Sequence, residues 1–202
     1  DCPESRGLGD VYKRQVSKYA NSFKKNIQVV FQDPYGSFNP RQKIGRLITE
    51  PFFTLGREAP PETEQRIIAQ KMLKEVGLSS ESIEKYIHEF SGGQRQRIAI
   101  ARALIIKPKL IIFDEAVSAL DVSIRSQILK LIADLTERYG LSYLFISHDL
   151  TVIENITENC LVMKNGKIVE RGQTKQILRD PKNEYTLSLI NAAPKFPNFL
   201  HA

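Results

Sequence analysis

Leu110-Ile-Ile-Phe-Asp-Glu115 is a short apolar run that ends in two adjacent carboxylates. Four apolar residues with no polar alternation are too few for a helix and read as a strand of a parallel sheet, buried on both faces. Asp114 and Glu115 therefore fall where a sheet meets solvent. On the upstream side, Pro108 closes off a helix that begins after Ser91 and runs to about Ile106. On the downstream side, a helix from about Ser123 to Tyr139 places Ile124, Ile128, Leu131 and Leu135 on one stripe, and Gly140 ends it. Tyr143-Leu-Phe-Ile146 is a second strand of the doubly buried kind, with His148 just beyond it. Further upstream, Ile27-Gln-Val-Val-Phe31 is a β-branched strand, with Gln32 past its end and a turn-rich loop from Asp33 to Pro40. The alternation of strands and helices predicts an α/β fold with a mainly parallel sheet, in which ligands bind outside the carboxyl ends of the strands. Gln32, Asp114, Glu115 and His148 all lie at such ends.

The remaining segments fit around this core. Residues 41–90 read as a mostly helical insert, in which Pro60-Pro61 opens a helix with Ile67, Ile68, Met72, Leu73 and Val76 on its apolar face and Gly77 at its end. Asn165-Gly166 predicts a tight hairpin between strands near Cys160–Lys164 and Lys167–Arg171. Asp1 to Gln15 show no period of either kind and read as a foreign, non-native segment, with native sequence from near Val16. At 202 residues, 42% hydrophobic and 26% charged, the composition is that of a globular protein. No apolar run approaches a membrane span and no export signal is visible, so the expected compartment is the cytoplasm. Cys2 and Cys160 are too few for a disulfide framework and are not spaced as metal ligands. The net charge of +6 is dispersed, and no basic and aromatic residues interleave, so no nucleic-acid partner is expected.

Each candidate residue also has an ordinary reading. A carboxylate pair at a strand end suits metal-assisted phosphoryl chemistry, one acid holding Mg²⁺ and its neighbour polarising water, but it is equally a solvated strand end. Ser91-Gly-Gly-Gln94 fits a capping box, yet two glycines in a first helical turn cost stability and bare N–H groups where a helix favours an anion. His148 could donate to a phosphate oxygen or be incidental, and Asp149 reads as the cap of a helix starting at Leu150.

The combination is more specific. Gln32, Ser91-Gly-Gly-Gln-Arg-Gln-Arg97, Leu110-Ile-Ile-Phe-Asp-Glu115, Ser118-Ala-Leu-Asp121 and Ser147-His148 occur in order, and together they resemble the ATP-binding cassette family from about residue 22 to 190. The resemblance implies a P-loop NTPase-like (RecA-like) core at 16–33 and 94–190, a helical subdomain at 34–93 and a tail at 191–202. It implies Gln32 as the Q-loop glutamine and a Mg²⁺ ligand, Asp114 as the Walker B aspartate holding Mg²⁺, Glu115 as the catalytic base and His148 as the switch histidine. Ser91, Gly92, Gly93 and Gln94 would form the signature that contacts ATP, with Asp121 in the D-loop. Phe31 to Pro40, His88 to Arg97 and Asp114 to Ser123 look most like importers of oligopeptides, dipeptides or nickel, although Ala116 stands where that family usually has Pro. The broad family also has Leu where Phe90 stands, a position at which the importer branch often has Phe.

Implied partners are transmembrane permease subunits, a second ATPase subunit and, indirectly, a solute-binding protein, at the inner face of the cell membrane. Tyr35 and Phe38 are candidate permease contacts, or simply local packing. Two rivals share the motifs: a soluble cassette ATPase of DNA repair or translation, and a non-catalytic module that completes a partner's ATP site. No Gly-x-x-x-x-Gly-Lys-Ser/Thr, the lysine-bearing loop that cradles phosphates, occurs in the 202 residues. The expectation is a truncated subunit. Reading the source locus from an unbroken clone should reveal such a loop upstream; a native start codon at the present N-terminus without one would favour the non-catalytic module.

Overall fold

The computed structural model describes residues 23–193, so the segment 1–15 and the tail from Pro194 lie outside the described residues. Strands β1 (Ile27–Phe31), β2 (Leu110–Asp114) and β3 (Ser142–Ile146) form a parallel sheet in the order β1-β2-β3. In register, Phe31, Asp114 and Ile146 stand side by side on the last rung. The three chains therefore leave the sheet level with one another, carrying Gln32, Glu115 and Ser147 to a single edge. At the opposite edge Lys109 N donates to Asn26 O (2.8 Å) and Ser142 N donates to Lys109 O (3.1 Å).

Between β1 and β2 lies the helical region: α1 (Pro34–Ser37), α2 (Ile44–Thr49), a 3-10 stretch Glu50–Glu58, α3 (Glu62–Glu75), the 3-10 turns Ser80–Glu84 and Ile87–Glu89, and α4 (Gly92–Leu104). The predicted loop after β1 thus contains one helical turn, started by Asp33, whose Oδ1 accepts Tyr35 N at 3.0 Å. Helix α4 is the hub, packed against β1, α2 and α3 and against α5 (Val122–Tyr139). The buried face of α3 is Ala69, Met72 and Leu73, with Val76 just after it. Ile67, placed on that face by sequence, is 65% exposed, because two residues before Ala69 is more than half a helical turn away.

Helix α5 is capped by Asp121 and ends at Gly140 with φ 60°. Its stripe is centred on Ile128, Ile132 and Leu135, with Ile124 and Leu131 half-buried. Beyond β3 come α6 (Leu150–Ile156), the antiparallel hairpin β4 (Asn159–Lys164) and β5 (Lys167–Gln173), α7 (Thr174–Arg179) and α8 (Glu184–Ala192). Asn165 (φ 50°) and Gly166 (φ 75°) make the predicted turn. Cys160 is half-buried, and burial pushes the pKa of its thiol up.

The two faces of the parallel sheet differ. Val30, Ile111, Phe113 and Phe145 are buried on one, whereas on the other Val29 is 40%, Phe31 50%, Leu144 46% and Ile146 44% exposed. The expectation that β3 is buried on both faces therefore fails among the described residues, because packing reaches the sheet there from one side. The asymmetry sets a prediction. Phe113→Ala should lower the unfolding free energy by about 3–5 kcal/mol in denaturant titration, and Leu144→Thr should change it by less than about 1 kcal/mol.

Candidate functional site

Glu115 follows β2 with φ 51°, an uncommon left-handed conformation for a residue bearing a side chain. Its N–H donates to Ile146 O (3.0 Å), extending the sheet ladder by one bond, and its carbonyl accepts Ser118 N (3.1 Å) and Ser118 Oγ (2.9 Å). The chain is thereby turned so that the carboxylate faces the end of β3. There Oε1 accepts His148 N (3.1 Å) and lies 2.8 Å from His148 Nδ1. Oε2 is buried and has no hydrogen-bond partner among the described residues. The side chain of Glu115 is 24% exposed, while that of His148 is 77% exposed, so the imidazole shields the carboxylate and presents its other edge to solvent. Only an imidazolium can donate through Nδ1 to Glu115 and through Nε2 to another acceptor at once.

Asp114 is half-buried on the last rung, and Gln32 is exposed one residue beyond its neighbour Phe31. Among the described residues no group of three or more His, Cys, Asp and Glu side chains could hold a metal. The donor set fits Mg²⁺ nonetheless, because that ion takes one or two protein oxygens and completes its shell with water and phosphate.

Ser91 to Gln94 form the second constellation, at the start of α4. The capping box is present: Ser91 Oγ accepts Gln94 N (3.4 Å) and Gln94 Oε1 accepts Ser91 N (3.0 Å). The two glycines have different reasons. A Cβ on Gly93 would stand 2.5 Å from Ile124 Cγ2, so Gly93 is required by the packing of α4 on α5. A Cβ on Gly92 would meet only Leu120 Cδ2 at 3.8 Å, so packing leaves Gly92 unexplained, and Gly92 is exposed. Asp121 Oδ1 accepts Ile124 N (3.0 Å) and Ser123 Oγ (3.2 Å), which makes Asp121 the cap of α5. The fold thus brings Gln32, Asp114, Glu115 and His148 to one strand edge and sets Ser91 to Gln94 against the Leu120–Ile124 segment.

Of the two aromatic residues after β1, Phe38 is 5% exposed beneath Arg102 (5.5 Å to its ring centre) and belongs to the core, so it offers no surface contact. Tyr35 is 41% exposed, with Arg95 4.9 Å from its ring centre. Sequence reasoning passed over Arg125, which pairs with Asp149 across 24 residues of sequence (2.6 Å). Its one local signal is its place four residues after the helix cap Asp121.

The glycine geometry is testable by denaturant titration. Gly93→Ala should destabilise by about 1–3 kcal/mol through overpacking, and a smaller residue at 124 should recover part of that loss. Gly92→Ala should stay within about 1 kcal/mol of the parent.

The model of the family described as ABC transporter matches residues 6–118, beginning within the segment 1–15 that reads as foreign. The chain is 48% identical over 176 residues to the dipeptide transport ATP-binding protein DppF of Haemophilus influenzae, covering 87% of this chain and 53% of that protein. It is 50% identical over 173 residues to the glutathione import ATP-binding protein GsiA of Escherichia coli O6:H1, covering 86% of this chain and 27% of that one. The chain therefore spans about half the length of the first relative and about a quarter of the second. Among solved structures, cbiO1 from Clostridium perfringens, part of the ABC transporter complex cbiONQ, matches with a TM-score of 0.68 and 28% identity over 79% of this chain and 61% of that one.

Proposed function

Because the chain belongs to the ABC transporter family, we propose that it is part of an ATP-hydrolysing subunit that drives an importer of short peptides. The observation that carries the chemistry is the Glu115–His148 contact: one oxygen of Glu115 is held by His148 N and Nδ1 at 3.1 and 2.8 Å, and the other is buried without a donor among the described residues. A buried carboxylate oxygen without a donor is costly. The attacking water of a hydrolysis is a donor of the kind it lacks, and Glu115 polarises that water as general base. His148 keeps the carboxylate aimed and offers its exposed Nε2 to a phosphate oxygen. Asp114 and Gln32 would hold Mg²⁺, which neutralises phosphate charge when bound.

Ser91, Gly92, Gly93 and Gln94, with Asp121 beside them, form the face turned toward ATP carried by a second subunit. The core is assigned to 16–33 and 94–190 and the helical subdomain to 34–93. That subdomain, which includes the exposed Tyr35, faces the permease at the inner face of the membrane, and a solute-binding protein delivers cargo on the other side. Peptides are favoured as cargo because the matched relatives are named for dipeptide and glutathione import, and glutathione is itself a short peptide. No helix among the described residues is long and apolar enough to cross a membrane.

The test uses the complete subunit from the source locus. Glu115→Gln should abolish phosphate release while ATP binding persists, because the amide keeps the shape and loses the charge, and ATP-dependent dimers should accumulate in light scattering. Asp114→Asn should weaken Mg²⁺-dependent binding and turnover together. Undiminished hydrolysis by Glu115→Gln would remove Glu115 as the base.

A further inference from the structure

Arg125 sits in the first turn of α5, its backbone N donating to Asp121 O (2.8 Å). Its side chain leaves the helix and engages two loops. Nη1 donates to Asp149 Oδ2 (2.6 Å) and Nη2 donates to Leu120 O (3.2 Å). Asp149 divides its oxygens, because Oδ1 accepts Thr151 N (3.0 Å) and Val152 N (3.3 Å) and so caps α6. The residue before Asp149 is His148, and the residue after Leu120 is Asp121. Neither partner is well exposed, at 25% for the Arg125 side chain and 29% for Asp149.

These bonds close a ring. Glu115 Oε1 holds His148, and Ser118 is bonded back to the Glu115 carbonyl. Two residues on, the Leu120 carbonyl is held by Arg125, which grips Asp149 and so returns to His148. The loop 115–121 is thus tied to the 148–149 segment at both of its ends, by Glu115 at the first and by the guanidinium at the last. A third feature marks the arrangement: Arg125 Nε is buried with no hydrogen-bond partner among the described residues. An unpaired buried donor is costly, and a partly buried ion pair contributes little net stability, so stability alone is a poor reason for this side chain. A planar fork that fixes two loops in one plane is what Arg supplies and Lys does not.

We infer that Arg125 is a positioning residue that holds His148 against Glu115 by locking the Leu120 carbonyl and Asp149 in a single frame. The catalytic consequence rests on the proposed hydrolysis at Glu115; the frame itself does not. Its loss frees His148 and the end of the 118–121 loop together, while the core helices keep their stability.

Residue-resolved amide exchange by NMR on the 202-residue chain tests the frame. In Arg125→Gln, the His148 amide, now bonded to Glu115, should exchange on the order of tenfold faster, while Ile98 and Ile100 in α4 and the unfolding midpoint stay unchanged. Asp149→Asn keeps the cap acceptor and removes the charge, and it should give the same local pattern; it decides the matter if Arg125→Gln does not fold. Combining the two should add nothing further, because both break one link. Unchanged His148 exchange in the folded variants would overturn the inference, and so would equal acceleration at His148 and Ile98, which is the mark of a purely structural role. In the complete subunit, Arg125→Gln should lower kcat for ATP about tenfold with KM unchanged, and Arg125→Lys should recover only part. Wild-type subunit without hydrolysis would count against the proposed function, and the exchange result would still decide the frame.

Discussion

Phe31, Asp114 and Ile146 share the last rung of a parallel sheet, and the candidate chemistry hangs from that shared level. Parallel strands in register must release their chains at the same height, so Gln32, Glu115 and Ser147 arrive at one edge before any side-chain interaction acts. Glu115 then adopts its left-handed conformation (φ 51°), and its N–H donates one more ladder bond to Ile146 O. Strain of this size, of order 1–3 kcal/mol, persists only where the surroundings over-determine it. Here the Ser118 bonds behind the carbonyl and the His148 bonds in front of the carboxylate do so.

The segment 118–125 is the junction between the two constellations. On one side, Gly93 lets α4 approach Ile124, and Gly92 lies against Leu120, so the start of α4 packs on the start of α5. On the other side, Arg125 reaches Asp149 beside His148. A chain of contacts thus joins the start of α4 to the Glu115–His148 pair. It runs through van der Waals contact at one end and a charge-assisted hydrogen bond at the other, which respond differently to substitution.

Local chemistry was legible in the sequence wherever one residue determines its own neighbourhood. The capping box at Ser91 and Gln94, the αL stop at Gly140, the Asn165-Gly166 turn and the cap at Asp149 all follow from interactions spanning a few residues, and the three strands are marked by their own apolar runs. What stayed hidden depends on partners far away in the chain. The packing reason for Gly93 is invisible without Ile124, and the choice between permease contact and local packing at Phe38 is decided by its burial beneath Arg102. Arg125 carries no pattern that distinguishes it from any solvated helix charge, because its partner Asp149 lies 24 positions on. The apolar run of β3 likewise cannot report which of its faces is covered.

We propose that ATP is hydrolysed at the carboxyl edge of the β1-β2-β3 sheet, against the start of α4 from a second ATPase subunit. The most direct measurement is a structure of the complete subunit carrying Glu115→Gln, determined with ATP and Mg²⁺. The account predicts a dimer in which the γ-phosphate lies between the Gln32, Asp114 and residue 115 edge of one subunit and the residues of the partner subunit that correspond to Ser91 and Gly92. Nucleotide bound away from that edge, or at it with the partner subunit's signature turned to solvent, would contradict it.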